Sequence, residues 1–151
     1  HDAVVGGELS CHFFFRDKHF GYDDGLYALM RLFEVLQGTG KSLEELLSIF
    51  PKRFSTIEYR IECADDKKWK VVDNVIKVLA ARKDVSLNTI DGVRASMDYG
   101  WGIIRSSNTQ PVICLRFEAN SEKNLLRVKD ELVSTLRDDF DDDFLDDNIV
   151  L

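Results

Sequence analysis

The sequence predicts an α+β protein: a small antiparallel sheet with two helices, preceded by the end of an α/β domain. Three observations carry that expectation. Residues 55–63, STIEYRIEC, alternate apolar and polar side chains with the two-residue period of a half-buried strand. Two helical patterns, one over 67–83 and one over 121–136, bracket a series of short apolar runs. The first fifty residues hold two short apolar runs and two helical patterns, too little to close a core of their own.

Each element follows in order. Residues 3–6 and 12–15 read as short buried strands, separated by the polar loop GELSC. Asp23 or Asp24 can cap a helix in which Leu26, Leu29, Met30, Leu32, Phe33 and Leu36 recur at helical spacing, and Gly38 can end it. Ser42 and Glu45 fit a capping box before Leu46, Leu47 and Ile49, and Phe50-Pro51 breaks that helix. In the strand from Phe54, Ile57, Tyr59 and Ile61 are expected on the buried face, with Glu58, Arg60 and Glu62 opposite. Asp65 or Asp66 is expected to cap KKWKVVDNVIKVLAARK. Strands are expected around 85–90, 93–97, 101–104 and 111–119, and Ser121 caps the last helix, with Glu122 suited to its positive end. The predicted division is 1–50, 51–137 and an acidic tail, 138–151.

Of the 151 residues, 44% are hydrophobic, and the formal net charge is −7. The stretch 138–147, DDFDDDFLDD, carries seven Asp and no Lys or Arg, so the rest of the chain is formally neutral. A neutral body without a basic stripe argues against a nucleic-acid partner. The tail is expected to be disordered; docking through Phe140 or Phe144 is the alternative. Three cysteines, Cys11, Cys63 and Cys114, with no C-x-x-C spacing, fit a reduced, cytoplasmic setting. No apolar run is long enough for a membrane span. The chain opens on His1-Asp2 and runs straight into apolar AVVGG, which reads as a start inside a larger protein.

Two loops hold more polar chemistry than a turn requires. Arg105-Ser106-Ser107-Asn108-Thr109-Gln110 sits between two apolar runs. An arginine fork, hydroxyls, an amide and the N–H groups of a tight loop together suit a phosphate dianion. The alternative is a polar hairpin turn with Arg105 in a surface ion pair. In GGELSCH, Glu8, Ser10 and His12 occupy alternate positions and would share one side of an extended segment. Glu8 and Ser10 suit sugar hydroxyls, and His12 could move a proton near neutral pH. The alternative is a polar loop with a structural histidine. Metal binding is disfavoured, because Glu8 and His12 lack a third good ligand nearby.

Taken together and in this order, the two loops resemble those of the α-D-phosphohexomutase superfamily, and within it the bacterial phosphomannomutase/phosphoglucomutase group. The resemblance runs from GGELSCHFFFRDKHFGYDDGLYALMRLFEVL through FSTIEYRI and TIDGVR to GWGIIRSSNTQPVICLRFEA. The family's sugar-recognition loop, typically GEMSGH, is matched by Gly7-Glu8-Leu9-Ser10-Cys11-His12. Its phosphate-binding loop, typically RASNTEP, is matched by Arg105-Ser106-Ser107-Asn108-Thr109-Gln110-Pro111. The resemblance implies four domains, of which this chain holds the end of the third, with the sugar loop, and all of the TBP-like fourth, with the phosphate loop.

The implied activity is the interconversion of mannose or glucose 1- and 6-phosphates, through a phosphoserine and a bisphosphorylated sugar. Arg105, Ser107, Asn108 and Thr109 would hold the phosphate that is not reacting. Glu8 and Ser10 would hold ring hydroxyls, and His12 would transfer a proton. The phosphoserine and the Mg²⁺ loop of such an enzyme belong to upstream domains, which are the implied partners of this part. Mg²⁺ and hexose 1,6-bisphosphate are the implied cofactors of the full-length enzyme, and none is expected on this fragment. The fragment alone is expected to be inactive. The competing expectation is a standalone sugar-phosphate-binding module. Three positions depart from the family pattern. Leu9 is a mild swap, and Gln110 removes a charge next to the phosphate loop. Cys11 replaces a glycine, and would be strained if that position needs a positive φ.

Overall fold

The computed structural model describes residues 2–8 and 11–150. The chain divides into two compact units, His1–Pro51 and Lys52–Leu151.

In the first unit, β1 (Val5–Gly7) and β2 (Phe13–Phe15) form an antiparallel hairpin with Gly6 opposite Phe14. Helix α1 (Gly25–Thr39) starts at Asp24, whose side chain accepts the Tyr27 N–H. It ends at Gly40 rather than Gly38: Gly40 has φ 64°, the left-handed conformation that turns the chain and sends its N–H to Leu36 O. Ser42 and Glu45 make the reciprocal capping box at the start of α2 (Leu43–Leu47). The strands expected to be buried are not. Val4 and Val5 are at least half exposed, and α1 contains no buried residue, with Leu26, Met30 and Phe33 open to solvent.

The second unit contains β3 (Phe54–Ser55), β4 (Tyr59–Glu62), α3 (Lys68–Ala80), β5 (Ser86–Asn88), β6 (Val93–Met97), β7 (Gly100–Ser106), β8 (Val112–Ala119) and α4 (Glu122–Val133). A 3₁₀ turn (Ser134–Leu136) and α5 (Asp142–Asn148) complete it. The sheet is antiparallel in the order β3-β8-β7-β6-β5, and β4 also pairs with β8. Along β7, Gly100, Gly102, Ile104 and Ser106 point into the core, while Trp101, Ile103 and Arg105 take the other face. Helices α3 and α4 bury Val75, Leu79, Val128 and Leu132 among Ile61, Ile104, Leu115 and Phe117. Gly102 lets α4 come close: a Cβ there would lie 2.3 Å from a Leu132 methyl.

The strand expected to run unbroken from Phe54 is split. Ser55 pairs with Glu118 and Tyr59 with Leu115, so three residues, 56–58, face two, 116–117. That extra residue is a bulge. Thr56 fills it: its N–H donates to Phe117 O, and its buried hydroxyl oxygen accepts the Phe117 N–H at 3.1 Å. The bulge shifts the alternation by one. Tyr59 and Ile61 are buried as expected, but Ile57, expected inside, is 74% exposed.

Two further expectations give way. Neither Asp65 nor Asp66 caps α3. Its N-cap is Lys67, with no side-chain bond, and Asp65 instead pairs with Lys68. The acidic tail, expected to be disordered, forms α5. Leu145 and Ile149 are buried in the core, Phe140 stacks on Phe144, and the Tyr59 hydroxyl donates to Val150 O at 2.5 Å. Composition pointed to a solvated stretch, but the apolar residues recur at helical spacing and the Asp side chains stay at the surface.

Candidate functional site

The candidate residues fall in both units. In the first, the Glu8 N–H donates to His12 O at 2.9 Å and the Cys11 N–H to Glu8 O at 3.1 Å, closing the β1–β2 hairpin. Glu8 and His12 are thus brought together across a hairpin, not along one extended segment as the alternation suggested. Directly opposed residues share a face, and the Glu8 charge acts on the His12 ring. Ser10 lies outside the described residues. Cys11 has φ 65°, the one positive φ at a non-glycine among the described residues. The position taken by glycine in the resembling loops therefore does need the left-handed conformation.

His12 is held by Asp23, a residue the sequence offered only as a helix cap. Its Nδ1 lies 2.5 Å from Asp23 Oδ2, while Asp23 Oδ1 accepts the Phe13 N–H at 3.1 Å. The hydrogen bond to Asp23 raises the His12 pKa and, reciprocally, lowers that of Asp23. The ring is half exposed, and with Nδ1 taken by Asp23 the other ring nitrogen is Nε2. The neighbouring Asp24 caps α1 and pairs with His19 at 3.2 Å.

In the second unit, residues 107–111 join β7 to β8. Arg105 and Ser106, read from sequence as part of the loop, belong to β7, where they pair with Cys114 and Ile113. Arg105 is a third exposed. Its guanidinium lies 3.8 Å from Glu58 and 3.7 Å from Asp91, ion pairs longer than hydrogen bonds. Ser107 is buried. Its hydroxyl oxygen accepts the Gln110 N–H at 3.2 Å and the Thr109 N–H at 3.4 Å, which folds the loop onto itself. Asn108 and Thr109 form the exposed tip, and Gln110 is held by Arg60.

The sequence reading did not single out Lys68. Its side chain is 5% exposed, and its ammonium donates to Ser107 O at 2.6 Å and Gln110 O at 3.1 Å. The only advance signal was a lysine in the first turn of an amphipathic helix, which ordinarily means a solvated side chain.

Among the described residues, no group of three or more His, Cys, Asp or Glu could hold a metal ion. The described residues do not fit a Mg²⁺ site. A cleft lined by Glu62, Cys63, Lys67, Lys70, Asp139 and Phe140 includes none of the candidate residues.

Comparison with known proteins adds to this geometry. The family model described as phosphoglucomutase/phosphomannomutase, C-terminal domain, matches residues 58–135. The model of the alpha/beta/alpha domain III of the same family matches residues 1–54. A phosphomannomutase/phosphoglucomutase of Pseudomonas putida is 42% identical over 128 residues, covering 85% of this chain and 27% of the relative. A phosphoglucosamine mutase of Methanococcus aeolicus is 38% identical over 87% of this chain and 30% of its own length. The crystal structure of a phosphoglucomutase/phosphomannomutase family protein from Burkholderia thailandensis superposes with a TM-score of 0.73 at 37% identity. It covers 90% of this chain and 28% of that one. The chain thus spans between a quarter and a third of the length of these proteins.

Proposed function

The chain belongs to the phosphoglucomutase/phosphomannomutase family, and from that premise we propose that it is the phosphate- and sugar-binding part of a phosphohexomutase. The observation that carries this reading is the 105–109 segment. A partly exposed arginine, whose ion pairs are longer than hydrogen bonds, precedes an exposed Asn108-Thr109 tip on the β7–β8 hairpin. Such a set of donors suits a phosphate dianion.

In the reaction, a phosphoserine elsewhere in the full-length protein gives its phosphoryl group to a hydroxyl of mannose or glucose 1- or 6-phosphate. The bisphosphorylated sugar reorients and returns its other phosphoryl group to the serine. The substrate must therefore bind in two orientations, with whichever phosphate is not reacting held at a fixed point. Arg105, Ser107, Asn108 and Thr109 provide that point, Glu8 and Ser10 take ring hydroxyls, and His12 exchanges the proton of the reacting hydroxyl through Nε2. Positioning of this kind is the main lever in phosphoryl transfer. Mg²⁺, hexose 1,6-bisphosphate and the upstream domains complete the full-length enzyme, and the chain by itself is inactive.

The test is NMR titration of the ¹⁵N-labelled chain with α-D-glucose 1-phosphate and α-D-mannose 1-phosphate. Amide shifts at 105–109 are expected with both sugars, and Arg105→Ala should abolish them. A loop that stays silent at millimolar ligand would refute the reading.

A further inference from the structure

We infer that Lys68 is a positioning residue for anion binding: it draws the Ser107 and Gln110 carbonyls inward, so that the Asn108 N–H is aimed at the bound phosphate. The inference rests on the phosphate-binding reading of that loop.

The buried ammonium has three donors, and all three are used. They reach Ser107 O at 2.6 Å, Gln110 O at 3.1 Å and Asp65 Oδ1 at 2.6 Å. A buried cation is tolerated only when it is paired and hydrogen-bonded. Two of its three partners lie in one four-residue segment, so Lys68 is satisfied only while that segment keeps its shape. The backbone is tied as well, because the Ser106 hydroxyl donates to Lys68 O at 3.0 Å.

The consequence for an anion follows from peptide geometry. A carbonyl dipole facing a phosphate repels it, and Lys68 turns two carbonyls away. In a planar trans peptide the C=O and the following N–H point in opposite directions. With the Ser107 carbonyl fixed on Lys68, the Asn108 N–H points away from the core. Asn108 is exposed, and its N–H finds no acceptor among the described residues. An outward N–H in the loop that follows Arg105 is a donor available to an anion. Asp65 is largely exposed and offsets part of the lysine charge, so Lys68 acts through loop geometry more than through its field.

The experiment uses the ¹⁵N-labelled chain with α-D-glucose 1-phosphate as probe. In the unsubstituted chain the Asn108 amide proton moves downfield on saturation. Lys68→Met keeps a dispersed spectrum but binds about tenfold more weakly, the loss expected for one charge-assisted contact. Its Asn108 shift disappears. Lys68→Arg, which keeps charge and donors, recovers most of the affinity. A folded Lys68→Met that binds like the unsubstituted chain, with the same Asn108 shift, overturns the role. Should Lys68→Met fail to fold, the unsubstituted chain decides: Arg105 and Thr109 moving while Asn108 stays still overturns it equally. A loop silent throughout refutes phosphate binding itself, so the two failures are distinct.

Discussion

Asp23 holds His12 at two points: its Oδ2 lies 2.5 Å from the ring Nδ1, and its Oδ1 accepts the N–H of the next residue, Phe13. Ring orientation and hairpin position are therefore fixed by one carboxylate from the start of α1. Asp23→Asn keeps the shape and removes the charge. The His12 pKa, now raised, should fall back toward its ordinary 6.5, as read from the pH dependence of the ring proton shifts. An unchanged titration would deny the coupling.

The same pair sets a pH window for hairpin stability. The raised His12 value means a contribution present below pH 6.5 that is lost as pH rises through the folded value. The lowered Asp23 value means a contribution present above pH 3.8 that is lost as pH falls through its folded value. Protection of the Glu8 amide against hydrogen exchange, corrected for intrinsic rates, should peak between 3.8 and 6.5. Asp23→Asn should flatten that peak.

Cys11 sits at φ 65°. The left-handed conformation costs an L-residue about 1–2 kcal/mol, partly offset by the greater freedom of glycine in the unfolded chain. Cys11→Gly is expected to stabilise the hairpin by roughly 0.5–1 kcal/mol, seen as slower exchange of the Glu8 amide. Faster exchange would mean that the thiol contributes contacts outweighing the strain.

At the bulge, Thr56→Val keeps the volume but deletes the acceptor for the buried Phe117 N–H. The expected loss is about 1–3 kcal/mol in urea unfolding, with an unchanged m-value. The loss has a structural cause that the Ile57→Ser control, at an exposed side chain, should not share.

The acidic C-terminus can be tested in the same way. Leu145 is 1% exposed, and Leu145→Ala should cost about 2–5 kcal/mol. A disordered tail would give a change near zero.

The parts of the fold that depend on local pattern were legible. The capping box at Ser42, the cap at Ser121 and the strands around 93–97 and 111–119 are spelled by neighbouring residues. What was hidden depends on the partner strand or helix. STIEYRIEC alternates without a break, so nothing in it announces the extra residue opposite Phe117. Asp23 and Asp24 are chemically identical neighbours, and only the placement of β2 decides which one caps the helix and which one takes His12. The loop at 105–109 stood out by composition. Its brace did not, because Lys68 is buried only by virtue of carbonyls some forty positions away.

Stapling the loop from beneath also has a thermodynamic meaning. A tip whose carbonyls are already tied to a helix, and whose Ser107 hydroxyl is already bonded, has few conformations left to lose. Its ordering entropy is spent when the domain folds, not when an anion arrives. Anion capture of the kind proposed would then be close to a rigid-body encounter, with little conformational entropy left to lose on binding.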